Sequence, residues 1–181
     1  MFLIVLGVVV VVGLFSFFTV AQGSVAVLTM FGKYRRVANP GLNVRIPFIE
    51  VISRRISIQN RAVEMKFQAI TSDQANVYFK SMMLYAVMNQ SEEMVKRVAF
   101  KFITMQDFVQ ALTRTVEGMV RAFVASKRQA EILSLQQEIV EAVKARIDKT
   151  LEEWGYHLLD LQINDITFDQ VIMDSMSQVV S

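Results

Sequence analysis

Residues 134–166, SLQQEIVEAVKARIDKTLEEWGYHLLDLQINDI, set a helix directly before a strand and so decide the fold class. Ser134 followed by Gln137 fits a capping box, in which the two side chains serve amides of the first helical turn. Leu135, Ile139, Val143, Ile147 and Leu151 recur at every fourth position and make one apolar stripe. Gly155 stands where a left-handed residue closes a helix. Glu141 and Lys144 add an ion pair on the wet face. From Tyr156 to Ile166 the period changes to two, with Leu159, Leu161 and Ile163 on one side. This segment predicts an α+β protein.

Working upstream, Thr104 caps a helix that reaches about Val124, with Phe108, Leu112, Val116 and Val120 at helical spacing. Ser91, Glu92 and Glu93 open a shorter helix, with acids in its first turn. Before residue 90 the chain reads as strands. These are Ser24–Met30, Leu42–Ile46, Glu50–Ile58, Arg61–Phe67 and Ala75–Met88. Phe31-Gly32 is the exit from the first, and Asn39-Pro40-Gly41 is a turn in which Pro presets φ and Gly supplies a positive φ. Pro47 closes the strand after it. Downstream, Thr167-Phe168-Asp169-Gln170 is a second capping box. It predicts a last helix still running at Ser181, so the chain is expected to continue. The expected organisation is residues 1–22, 23–90 (β-rich) and 91–181 (α/β, leading into that helix).

Residues 2–21, FLIVLGVVVVVGLFSFFTVA, carry no charge, and the first charged residue is Lys33. As one helix this run would reach about 30 Å, the thickness of a bilayer's hydrocarbon core. It lacks the basic leader of a signal peptide and the central Pro of a hairpin. A transmembrane helix is therefore expected, with Phe2, Leu3, Ile4, Val5, Leu6, Val8, Val12, Leu14, Phe15, Phe17, Phe18 and Val20 as anchor residues. Lys33, Arg35, Arg36 and Arg45 precede the first acid, Glu50. The Lys/Arg bias places the main body in the cytoplasm, with the periplasm as the alternative. Lys33, Arg35 and Arg36 are expected to face anionic headgroups, at about 1 kcal/mol each.

Composition narrows the chemistry. A net charge of +2 gives no general field for nucleic acid. The chain has no Cys, which excludes disulfides, thiolate zinc sites and palmitoylation. The single His157 has no plausible orienting partner for base catalysis, and no phosphate loop, nucleophile elbow or HExxH helix occurs. Asp160 and Asp165 sit five positions apart on one strand and so point to opposite faces. No cofactor, metal or enzyme activity is expected.

Several segments in order resemble the SPFH/band 7 family of stomatins, prohibitins, flotillins and bacterial protease modulators, above all its bacterial stomatin-like members. Phe31-Gly32-Lys33-Tyr34, then Asn39-Pro40-Gly41-Leu42 and Ile46-Pro47-Phe48, resemble one signature; Pro40, Gly41, Pro47 and Phe48 are its turn residues. Thr71 to Val77 resembles a second, and Trp154-Gly155-Tyr156 with Leu161 to Ile166 a third. The resemblance covers roughly residues 20–180. It implies an SPFH domain, with the family's coiled-coil region expected beyond Ser181.

It also implies a membrane-anchored scaffold that associates laterally into a ring or cage. Such an assembly would organise a membrane microdomain and its client membrane proteins. The implied partners are the lipid bilayer, further copies of the chain and membrane-protein clients, a membrane protease among them. The mixed-charge face bearing Lys144, Arg146, Asp148, Glu152 and Glu153 is then a candidate subunit contact. Modulation of an AAA-type membrane protease is the first alternative. A membrane-bound enzyme acting through His157, Asp160 or Asp165 is the second, and a channel or transporter subunit is disfavoured by the absence of ionisable residues in the apolar run.

Overall fold

The structure, a computed structural model, describes residues 1–169 of the 181-residue chain. It contains two compact units, Met1–Gln59 with Val87–Lys101, and Asn60–Ala86 with the chain from Phe102 onward. A division after residue 90 would cut through a single sheet, because the hairpin before that point shares its sheet with the strand beginning at Tyr156.

The first unit holds α1 (Phe2–Ser16), β1 (Phe17–Val20), β2 (Ser24–Met30), β3 (Lys33–Ala38), β4 (Gly41–Val44), β5 (Glu50–Ser57) and α2 (Glu92–Lys101). β3, β2 and β5 form one antiparallel sheet with β2 central, while β1 and β4 pair separately. Val20, Ala26, Leu28 and Ala38 pack together as a small core, with Phe18 and Ile52 against it. α2 buries Val95, Val98 and Ala99.

The apolar run is not one helix. α1 stops at Ser16, and Phe17 to Val20 become a strand in register with Val44 to Gly41. Phe, Thr and Val fit a pleated, half-buried surface, and Val20 gains a core position. At 15 residues α1 is about 22 Å long, well short of the hydrocarbon thickness. Among the described residues, no helix is long and apolar enough to cross a membrane. The expectation of a spanning helix through residue 21 is corrected: Phe17, Phe18 and Val20 lie on β1 and not on a helix.

The second unit holds the hairpin β6 (Arg61–Ile70) and β7 (Asn76–Val87, its last residue excepted), then α3 (Met105–Val124), α4 (Gln129–Ile132), α5 (Gln136–Trp154) and β8 (Tyr156–Phe168). β7 lies between β6 and β8. Alternation along β6 buries Val63, Met65, Phe67 and Ala69, and β7 contributes Val77, Phe79, Met83 and Tyr85 to the same core. α3 covers β6 and α5 covers β8, through Phe108, Leu112, Val116 and Val120 on one and Ile139, Val143, Ile147 and Leu151 on the other. Phe108 is ringed by Phe102, Tyr85, Trp154 and Tyr156, with ring centroids 4.6–5.9 Å away.

The helix ends show where local signals suffice. Thr104 and Asp107 form a reciprocal capping box on α3, the Asp107 amide donating to Thr104 Oγ1 at 3.1 Å. Gly155 ends α5 at φ 91, as its position predicts. Ser134 does not cap α5. Its hydroxyl donates to the Glu131 carbonyl at 2.7 Å, after the unforeseen short helix α4, and Leu135 takes the cap position. β8 runs through Phe168, so Thr167 is still strand; the helix expected after it lies outside the described residues.

Candidate functional site

Two exposed aromatic turn tips, Phe31 and Phe48, and the exposed bases Lys33 and Arg35 lie at one end of the first unit's sheet, and pairing in the sheet defines that end. Met30 pairs with Lys33 across the Phe31-Gly32 turn, and with Glu50 at the start of β5. Both turn residues have positive φ, 51 at Phe31 and 78 at Gly32, as a two-residue hairpin of matching twist requires. The Pro47–Ile49 turn leads into Glu50, so it emerges at the same end. Phe48 at its tip also has a positive φ, 67. Phe31 is 81% exposed and Phe48 89%, in backbone conformations that a bulky side chain seldom adopts. Ile46 and Val51 flank them and are exposed too.

α1 enters at this end. The Arg45 amide donates to the Ser16 carbonyl at 2.7 Å, and Phe17 pairs with Val44. The apolar helix therefore departs beside the Phe48 turn. Phe2, Leu3, Ile4, Val5, Leu6, Val8, Val12, Leu14 and Phe15 lie on α1, none of whose residues is buried. A helix that is apolar all round needs an apolar surrounding.

The basic residues divide into two kinds. Lys33 is exposed at the start of β3. Arg36 instead holds the fold together: its guanidinium donates to the Val44 carbonyl and to Glu50 Oε2. Arg35 Nε lies 3.9 Å from Glu50 Oε1 and is 57% exposed, so it remains available at the surface. Glu50 is only 5% exposed and also accepts the Ile46 amide at 3.0 Å. Burial pushes its carboxyl up, but the Ile46 amide, the Arg36 hydrogen bond and the two guanidinium charges outweigh that and hold it below the usual range. Glu50 thereby ties β3, the end of β4 and the Phe48 turn together. Arg45 Nε, between the Ser16 carbonyl and this turn in sequence, is buried and has no hydrogen-bond partner.

Pro40 and Gly41 stand elsewhere. Gly41, at φ 115, pairs with Val20 at the far end of β4, about 10 Å along the strand from Val44. Their role is to make the β3–β4 turn, where Asn43 Nδ2 donates to the Asn39 carbonyl at 2.8 Å. Sequence reasoning missed Phe31 and Glu50. The signal for Phe31 was a two-residue link between β-rich segments, but the basic run after it masked β3.

The residues weighed for catalysis serve the second unit. Asp160 accepts from Lys144 Nζ at 3.0 Å, from Gln162 Nε2 at 2.8 Å and from the Leu161 amide; the Lys144 bond comes first among the causes that hold its carboxyl below the usual range. His157 Nδ1 lies 3.8 Å from Asp148 Oδ1, and Asp165 lines an open cleft on the sheet. No group of three or more metal-ligating side chains occurs among the described residues.

Comparison with known proteins agrees with this architecture. The model of the SPFH domain / Band 7 family matches residues 18–181, beginning within β1 and leaving out α1. A putative band 7 family protein of Acanthamoeba polyphaga mimivirus is 22% identical over 90% of this chain and 51% of its own length. An uncharacterized protein of Methanothermobacter thermautotrophicus is 26% identical over 84% and 45% respectively. Hypersensitive-induced response protein 4 of Arabidopsis thaliana is 20% identical over 88% and 53%. The chain thus spans about half the length of these relatives. With a family match across nine-tenths of its residues and the helix–strand arrangement to go with it, the chain belongs to the SPFH domain / Band 7 family.

Proposed function

We propose that this chain is a scaffold of the membrane surface, held by α1 and by the aromatic end of its first unit, and that it acts by gathering copies of itself around client membrane proteins. The observation that carries the membrane reading is the shared position of Phe31, Phe48 and the root of α1. Two aromatic turn tips and an uncharged helix form one apolar end, rimmed by Lys33 and Arg35. Burying one Phe contributes about 1.5–3 kcal/mol, and each basic residue near anionic headgroups about 1 kcal/mol.

α1 enters the hydrocarbon, and the basic rim sits among headgroups on the cytoplasmic side. Family membership supports a scaffold role in place of catalysis, through lateral assembly and organisation of a membrane microdomain. Weak contacts between tethered copies add up because tethering raises their effective concentration.

The test uses Trp in place of each tip, since Trp154 is the only native one. Phe31→Trp and Phe48→Trp chains, bound to vesicles with brominated acyl chains, are expected to lose fluorescence and shift to the blue beyond the unsubstituted chain. Two introduced tryptophans as unquenched as Trp154 would overturn the membrane reading.

A further inference from the structure

The chain has 11 methionines and no Cys, so thioethers are the only sulfur that a peroxide can attack. Susceptibility follows exposure, and exposure sorts them. Met65 and Met83 lie on the core face of the second unit's sheet, at 1% and 0%. Met105, in the first turn of α3, is 42% exposed, more than any other described methionine except Met1.

What sets Met105 apart is the group aimed at its sulfur. Tyr85 of β7 is 2% exposed, its ring packed on Phe108 and Tyr156 with centroids 5.2 and 5.4 Å away. Its hydroxyl donates to Met105 Sδ at 3.8 Å, and among the described residues this is its one acceptor. Buried hydroxyls ordinarily take a full-strength partner, whereas a thioether is a weak one. Burial pushes the Tyr85 hydroxyl's pKa up, against a smaller downward pull from Arg61, so the group stays a donor at neutral pH. The sulfur therefore has solvent on one side and a poorly satisfied buried donor on the other.

We propose that Met105 is an oxidation-responsive site, at which hydrogen peroxide converts the thioether to a sulfoxide whose oxygen takes the Tyr85 hydroxyl and fastens the start of α3 to β7. In that step the O–O bond breaks and an S–O bond forms. The sulfur loses two electrons to the peroxide, whose other oxygen leaves as water with both protons. The three rotatable bonds of the side chain let it turn the new oxygen inward. Added polarity usually disrupts packing around a methionine, but here it meets a donor that lacks a good acceptor. The site lies wholly within the second unit and does not depend on how the first unit meets a membrane.

Full-length chain in mild detergent, treated with hydrogen peroxide and mapped by peptide mass spectrometry, is expected to form sulfoxide at Met105 tenfold or more faster than at Met65 or Met83. The change that treatment makes to urea stability, less the change in a Met105→Leu chain treated alike, isolates Met105 from the other methionines. That difference should be a gain, equivalent to about a threefold to tenfold larger folding constant, the range of one hydrogen bond. It should be reversed by methionine sulfoxide reductases and vanish when both chains also carry Tyr85→Phe. Oxidation at Met105 no faster than at Met65 and Met83 would overturn the site. A difference of zero or a loss, or a gain that persists with Tyr85→Phe, would overturn the role given to Tyr85 and the proposal with it.

Discussion

The Arg45 amide and the Ser16 carbonyl meet at 2.7 Å, and this bond marks where the apolar helix gives way to the folded unit. Beyond it the ladder from Phe17–Val44 to Val20–Gly41 takes up the backbone groups that a longer helix would have used. Four residues that look like lipid anchor thus become a strand, and the helix leaves the unit beside the Phe48 turn.

Substitutions on either side of that bond should behave differently. Val20 is 3% exposed and packs on Ala26, Leu28 and Ala38, whereas Val10 is 54% exposed on α1. Val20→Ala is expected to lower stability in urea by about 2 kcal/mol, as truncation in a core does. Val10→Ala should leave the urea midpoint unchanged.

Two basic residues of β3, Lys33 and Arg36, should separate in the same way. Arg36→Ala removes the donor to Val44 and the nearer cation at the buried Glu50. Arg36 is itself partly exposed, so the expected loss is modest, about 1–2 kcal/mol of unfolding free energy. Lys33→Ala should change stability by less than about 0.5 kcal/mol and show itself only in weaker binding to anionic vesicles at low salt. Equal destabilisation by both would contradict the assignment.

Asp73 gives a pH dependence of known sign. Its carboxylate accepts the Thr71 hydroxyl and the Gln129 amide, at 3.1 Å for the latter, and these two hold its pKa below the ordinary value. The unfolded carboxyl titrates near about 3.9. The unfolded state therefore binds more protons in the interval below that value. The stability that Asp73 contributes is complete above it and is lost as pH falls through the folded value. Asp73→Asn should flatten the fall of stability between about pH 5 and pH 2, read as the difference between the two urea titrations. An identical acid slope in variant and parent would show that the hairpin tip does not depend on this charge.

What could be read from the chain alone is what short-range chemistry controls. Thr104 with Asp107 starts α3, and Gly155 stops α5, because both act through backbone groups within a few residues. The alternation in residues 61–67 and the stripe from Ile139 to Leu151 were legible because periodicity records which face is buried. The motif order from Phe31 to Ile166 identified the family for the same reason, since each motif is a local turn or element.

The remainder depended on contacts between distant residues. An apolar run does not say whether its last turn buries itself in lipid or against β4; Val20 chose the core formed by Ala26, Leu28 and Ala38, residues supplied from other strands. Arg35 and Arg36 are adjacent in sequence, yet one lies at the surface and the other braces Val44, because the register of β3 on β2 shifts there: Arg36 pairs with Leu28 and Arg35 is passed over in the ladder. Phe31, Phe48 and Ser16 share one end because β2 pairs with both β3 and β5, and because Arg45 reaches Ser16. Such long-range pairing depends on the whole sheet, and no window of sequence contains it.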